Sequence, residues 1–112
     1  MARGKRKECA ELCPIEGALA VIGGKWKLVI LWHLLEGSKR YGELKRAMPE
    51  VSEKMLIQQL RELESDKILA RKVYAQVPPR VEYSFTAYGE TLKPVLRALV
   101  AWGGTHFRQR AG

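Results

Sequence analysis

Two stretches of this sequence carry side chains whose types and spacing suit one chemistry, the recognition of a polyanion. The first is VSEKMLIQQLRELE (51–64). At about 100° per residue, Lys54, Gln58 and Arg61 fall along one line of a helix, roughly opposite Leu56, Leu60 and Leu63. Gln59 adjoins Gln58, and Ser52 reads as the N-cap. A carboxamide offers a donor and an acceptor together, and a guanidinium matches the O6/N7 edge of guanine. Lys54 and Ser52, at the helix start, can reach phosphates or bases. The second stretch is VPPR (77–80), where two prolines hold Arg80 out at a turn, placed to reach a phosphate or enter a minor groove. A solvated helix face with no partner carries the same residue types, so order and adjacency must decide.

Other chemistries find little support. No Ser/His/Asp arrangement or carboxylate pair stands out for catalysis. GGKWK (23–27) lacks the G-x-x-x-x-G-K-[ST] spacing of a phosphate loop. Cys9, Cys13, His33 and His106 are the only soft metal ligands, with His33 inside an apolar run and His106 near the end. Neither a metal site nor a cofactor is expected.

The chain that must position these residues has 112 residues and a formal net charge of +8. That is one domain, small enough for dimerisation to help its stability. Residues 14–66 carry eight basic and eight acidic groups and are neutral. The excess lies in the N-terminal tail (Arg3, Lys5, Arg6, Lys7), in the acid-free segment 67–81, and after Glu90. Clustered positive charge suits nucleic acid, although solubility alone would also explain it. Two cysteines close together are not a disulfide framework. No apolar run is long enough to span a membrane, and no apolar segment follows the basic N-terminus. A cytoplasmic protein is therefore expected.

The elements follow from periodicity and punctuation. Residues 1–8 read as a disordered basic tail. CPIEGALAVIGG is a short helix with proline at its first position, an acid in its first turn and glycine past its end. KWKLVILWHLLEG (25–37) is apolar around most of its circumference and reads as a core helix buried on most sides, ended by Gly37. A short helix within 38–50 stops before Pro49, with Tyr41, Leu44 and Met48 on one face. The helix capped by Ser52 follows.

Residues 67–77 and 81–86 then alternate as two strands of a hairpin around PPR (78–80). Leu69, Val73 and Val77 are expected on one face of the first, and Val81, Tyr83 and Phe85 on one face of the second. A last helix, capped by Thr86, carries the stripe Leu92, Val95, Leu96, Leu99 and Trp102. Pro94 kinks it or marks its true start, and Gly103-Gly104 is a candidate end.

A short helix, a tight turn and a helix with a polar outer face make a helix-turn-helix. A basic hairpin directly after it makes a wing. The expected fold is mainly α with a small β-hairpin (α+β), a winged helix-turn-helix.

The motifs CP-E, GGKWK, RYGEL, SEKML-QQLRELE and PPRVEYSFT-YGE-L, with the late Trp102, resemble HxlR-type winged-helix transcriptional regulators, relatives of the MarR group. The resemblance covers about residues 13–102. It implies residues 9–112 as one such domain, with terminal helices forming a homodimer through Leu92, Val95, Leu96, Leu99 and Trp102. It also implies helix 52–65 in the major groove of double-stranded DNA. Ile57 departs from the small hydroxyl residue of the pattern, and could touch a thymine methyl or pack.

The resemblance further implies that the cysteine of CP-E, here Cys13, senses oxidants or electrophiles in some members. The chemistry is sound, because a helix N-terminus favours the thiolate, the reactive form. Glu11 and Glu16 oppose it and the tail lysines assist. Cys9 could pair with Cys13 after local bending, two copies could join through Cys13, or the thiol could serve packing alone.

The expectation is thus a homodimeric, sequence-specific transcriptional regulator on an inverted-repeat operator, with an oxidant or small molecule as effector. A sequence-indifferent architectural DNA binder is the main rival. A protein-interaction winged helix and a thiol enzyme are the others.

Overall fold

A computed structural model describes residues 13–111. Cys9 and the basic tail 1–8 lie outside the described residues. The order is α1 (Pro14–Ile22), α2 (Lys27–His33), β1 (Lys39–Arg40), α3 (Tyr41–Ala47), α4 (Glu53–Ser65), β2 (Leu69–Tyr74), β3 (Arg80–Phe85), a 3-10 turn (Gly89–Leu92) and α5 (Lys93–Ala111).

Ser52 caps its helix as expected, whereas Thr86 caps a 3-10 turn and not the last helix, which starts only at Lys93. Cys13 caps α1, its Sγ accepting from Glu16 N at 3.4 Å while Glu16 Oε1 accepts from Cys13 N. Glu43 turns back onto Arg40 N at 2.7 Å to start α3. Ser52 Oγ accepts from Met55 N at 3.1 Å to start α4. Thr86 Oγ1 accepts from Gly89 N at 2.8 Å and donates to Lys67 O, closing the 3-10 turn.

The end of α4 is less ordinary. Ile68 N donates to Leu63 O and Lys67 N to Glu64 O, the paired bonds of a Schellman motif. That motif needs a left-handed residue, and here it is Lys67, with φ 65°. A glycine would sit there without its Cβ penalty. Ile68 and Leu63 are both buried and close the motif from below.

Four features differ from the sequence reading. The hairpin is the larger part of a three-stranded antiparallel sheet, order β1-β3-β2, because Lys39 and Arg40 pair with Tyr83 and Glu82. Val73 and Val77 do not face a core. Val77 lies beyond β2, and both side chains stay exposed. Helix α2 is shorter than 25–37 and buried on one side only; Ile30, Leu31 and Leu34 are inside, but Val29 and Trp32 remain exposed. Finally, α5 starts at Pro94's neighbour Lys93 and runs straight through Gly103-Gly104. Pro94 therefore marks a start, where its missing N–H costs nothing.

The core joins α2, α3, α4 and the sheet. Leu44, Leu56, Leu60 and Leu63 have no exposed surface, and Tyr83 and Leu96 are nearly as deep. Each such aliphatic side chain contributes about 1.5–3 kcal/mol by leaving water. Together they clamp α4 by one face and leave the other free.

Candidate nucleic-acid interface

The clamp on α4 fixes where its polar residues go. Lys54, Gln58 and Arg61 are exposed on the outer face, and Ser52 is exposed at the cap. Gln59 does not join them. It is 7 % exposed and turned inward, because it lies next to Leu56, Leu60 and Leu63 on the helix circumference. Its carboxamide lies against GGKWK; a Cβ added to Gly24 would come within 2.5 Å of Gln59 Oε1. Gly24 is thus what lets the start of α2 approach α4 this closely.

GGKWK has a second role that sequence reasoning missed. Lys27 is 1 % exposed, and its Nζ pairs with Glu62 Oε1 at 2.5 Å. A lysine is rarely buried so deeply unless it is paired. The signal in the sequence was its place in the most apolar run, where a solvated lysine would be out of keeping. The other oxygen of Glu62 accepts from Gln58 Nε2 at 3.4 Å.

Beside α4, a groove of about 320 Å³ runs to the sheet, lined by Tyr41, Ile57, Arg61, Glu64, Arg71 and Tyr83. Ile57 is half-buried here, packing more than reaching out. Arg71 Nε lies 3.6 Å from Glu64 Oε2, and Arg61 lines the same groove from the exposed face of α4. Burial pushes the Tyr83 phenol above its ordinary pKa; Glu64 adds to the rise, and Arg71 and Arg61 oppose it. The phenol stays protonated at neutral pH.

A second groove, of about 350 Å³, adjoins the first through Tyr41 and Val81 and ends at the hairpin turn. Arg40, Arg46, Gln76 and Arg80 line it. Arg40 and Arg46 did not figure among the candidate residues, although both sit in short basic pairs of the helix-turn-helix. Arg80 is not held out by the prolines. It faces Tyr74 across the β2–β3 pairing, so its guanidinium lies 4.0 Å over the Tyr74 ring, and its Nε is 3.4 Å from Glu82 Oε2. A phosphate arriving at this groove would compete with Glu82 for it.

The expected dimer stripe divides. Leu96 is 3 % exposed and Leu92 packs against the core, because this side of α5 rests on the rest of the chain. Val95, Leu99 and Trp102 stay exposed, joined by Val100 and Phe107. An apolar groove of about 300 Å³ runs between α2 and α5, lined by Leu28, Val29, Trp32, Val100 and Phe107, with Gly103 and Gly104 as its floor. The i, i+3, i+4, i+7 spacing of Val100, Gly103, Gly104 and Phe107 was a legible signal.

At the N-cap of α1, Cys13 is an exposed free thiol. Among the described residues, no three His, Cys, Asp or Glu side chains gather to hold a metal ion, and no helix is long and apolar enough to cross a membrane.

This arrangement matches known proteins closely. YtcD of Bacillus subtilis, an HTH-type transcriptional regulator, is 55 % identical over 98 residues, covering 88 % of this chain and 78 % of YtcD. The solved structure of YtcD superposes with a TM-score of 0.81 over 87 % of this chain and 99 % of that one. The redox regulator HypR in its oxidised form is 49 % identical with a TM-score of 0.80, covering 83 % of this chain and 96 % of HypR. The reduced form of the transcriptional regulator YodB from B. subtilis is 36 % identical with a TM-score of 0.70, covering 81 % and 90 %. The family model for HxlR-like helix-turn-helix proteins matches residues 21–111. With its three-stranded winged fold and the residues of GGKWK and α4 in place, the chain belongs to the HxlR-like helix-turn-helix family.

Proposed function

We propose that this protein is a homodimeric, sequence-specific DNA-binding transcriptional regulator whose binding responds to oxidants through Cys13. The observation that carries the DNA reading is the two-faced α4: three leucines without exposed surface anchor it, and Lys54, Gln58 and Arg61 project from the other side. A rigidly held helix with a guanidinium and a carboxamide outward is what major-groove readout requires. The adjoining groove of Arg40, Arg46 and Arg80 suits the phosphates that set its register.

The dimer reading rests on exposed apolar surface. Leu99, Trp102 and Phe107 of α5, Trp32 of α2 and Leu19 of α1 are too many large apolar side chains to leave to water. A twofold pairing through α1 and α5, within one domain spanning 9–112, would present the two α4 helices about 34–36 Å apart, one turn of duplex. Double-stranded DNA with an inverted repeat is the matching partner.

Cys13 is exposed at a helix N-terminus with its sulfur already accepting a backbone N–H. Its thiolate would attack a peroxide, giving the sulfenic acid and hydroxide. Condensation with a second thiol, Cys9 or the Cys13 of another copy, would then release water and form a disulfide.

The test is binding of the purified protein to the DNA flanking its own gene, reduced and then treated with a mild oxidant, beside Cys13→Ser. Tight reduced binding lost on oxidation only in the wild type is the expected result. Equal binding to unrelated duplexes would favour the architectural reading instead. Within the wild-type background, Arg61→Ala should cost about 1–3 kcal/mol at one base position. Arg80→Ala should weaken all duplexes alike and flatten the salt dependence.

A further inference from the structure

A buried residue that touches no surface is connected to the reading face. Lys27 Nζ, from α2, holds Glu62 Oε1; Glu62 Oε2 in turn accepts from the carboxamide nitrogen of Gln58, one helical turn earlier on α4. Lys27 is 1 % exposed and Gln58 is exposed, so the chain of contacts runs from core to surface.

A carboxylate can only accept, and an ammonium can only donate. With one oxygen committed to Lys27, Glu62 offers Gln58 nothing but an acceptor. The Gln58 carboxamide must therefore turn its nitrogen toward Glu62. One N–H is spent there. The amide oxygen and the second N–H remain, side by side and outward, which is the acceptor-and-donor pattern that pairs with the N6/N7 edge of adenine.

We infer that Lys27 and Glu62 are positioning residues that fix the flip of the Gln58 carboxamide and thereby set base preference at one position of the DNA site. This rests on the reading of α4 as the DNA-contacting helix. Glu62→Gln makes the logic explicit. The substituted amide must still give its oxygen to Lys27, so its nitrogen faces Gln58. Gln58 then turns its own oxygen inward and presents two N–H donors. Donors suit the acceptors of guanine or thymine, not the adenine edge. The variant should change preference, not merely lose it.

The experiment selects duplexes from a random library with the full-length reduced protein, for wild type, Gln58→Ala, Glu62→Gln and Lys27→Met, with the fold of each checked by circular dichroism. Gln58→Ala locates the base pair concerned. The expected result is an adenine at that pair in the wild type, on the order of tenfold over other bases. Glu62→Gln should shift it to guanine or thymine, and Lys27→Met should blur it at the same pair while other positions keep their preference. An unchanged preference in Glu62→Gln, or losses spread evenly over the site, would overturn the inference. The side-chain NH₂ resonances of Gln58 in the free protein give a readout that needs no DNA. One of the two protons shifted and slowed in exchange by Glu62, with its partner solvent-like, and that difference lost in Lys27→Met, are expected; two solvent-like protons already in the wild type would overturn it too. If the wild type selects no sequence while these resonances behave as expected, it is the DNA reading that fails and not the relay.

Discussion

The Lys27–Glu62 pair should be strongly lopsided when its two halves are removed in turn. Lys27 has 1 % of its side chain exposed and Glu62 has 38 %. Glu62→Ala leaves an ammonium in the core with no counter-charge, and breaking a buried pair from that side costs about 3–5 kcal/mol. Alanine's better helix propensity returns a few tenths of a kcal/mol, so the lower part of that range is expected. Lys27→Met is different. Methionine keeps the unbranched stem in its apolar slot, and Glu62, already 38 % exposed, can take water in place of the ammonium. Its cost should resemble that of a surface pair, about 1 kcal/mol or less. The double variant Lys27→Met/Glu62→Ala should then recover most of what Glu62→Ala loses, ending within about 1 kcal/mol of Lys27→Met. Urea unfolding at one fixed protein concentration, with slopes compared, measures all three. If Lys27→Met costs as much as Glu62→Ala, or the double variant is no better than Glu62→Ala, then desolvation of the ammonium does not govern this site.

Lys67→Gly should raise stability by roughly 0.5–1 kcal/mol in the same assay, since it removes a Cβ from a left-handed position; a loss would mean the Lys67 side chain contributes more than its backbone strain removes. Leu99→Asp places a charge on the exposed face of α5 and should yield well-folded monomers with weak operator binding, read by sedimentation; an intact dimer would refute that interface. Ser52→Ala removes the acceptor for Met55 N and should cost about 1 kcal/mol, with a helix frayed at its DNA-facing end, visible as faster amide exchange at Met55. His33 is held below its ordinary pKa by burial and then by Lys39. The unfolded chain therefore binds this proton more readily, so stability should be complete above about pH 6.5 and fall as the solution is acidified below it; His33→Gln should remove that part of the fall in a pH series of unfolding curves.

The contrast between Gln58 and Gln59 shows where reading a sequence stops. Local rules suffice for the proline start of α1, the cap at Ser52, the stop before Pro49 and the leucine face of α4, because each depends on residues within a turn or two. Charge clustering and element order then point to a nucleic-acid partner. Periodicity already sets Gln58 opposite the leucines and Gln59 beside them; that Gln59 is buried there and not merely flanking is another matter, and the close approach of Gly24 decided it. Lys27 is the same lesson from the other side. Its burial depends on Glu62, 35 positions further on (62 − 27), meeting it across the α2–α4 packing. Likewise the third strand exists only because Lys39 and Arg40 come to lie along β3, and Leu96 turns inward only because α5 rests on α2. Periodicity and capping are properties of neighbours along the chain and were settled by the sequence itself. Partners brought together across the core depend on how the helices cross, and only the tertiary packing decided those.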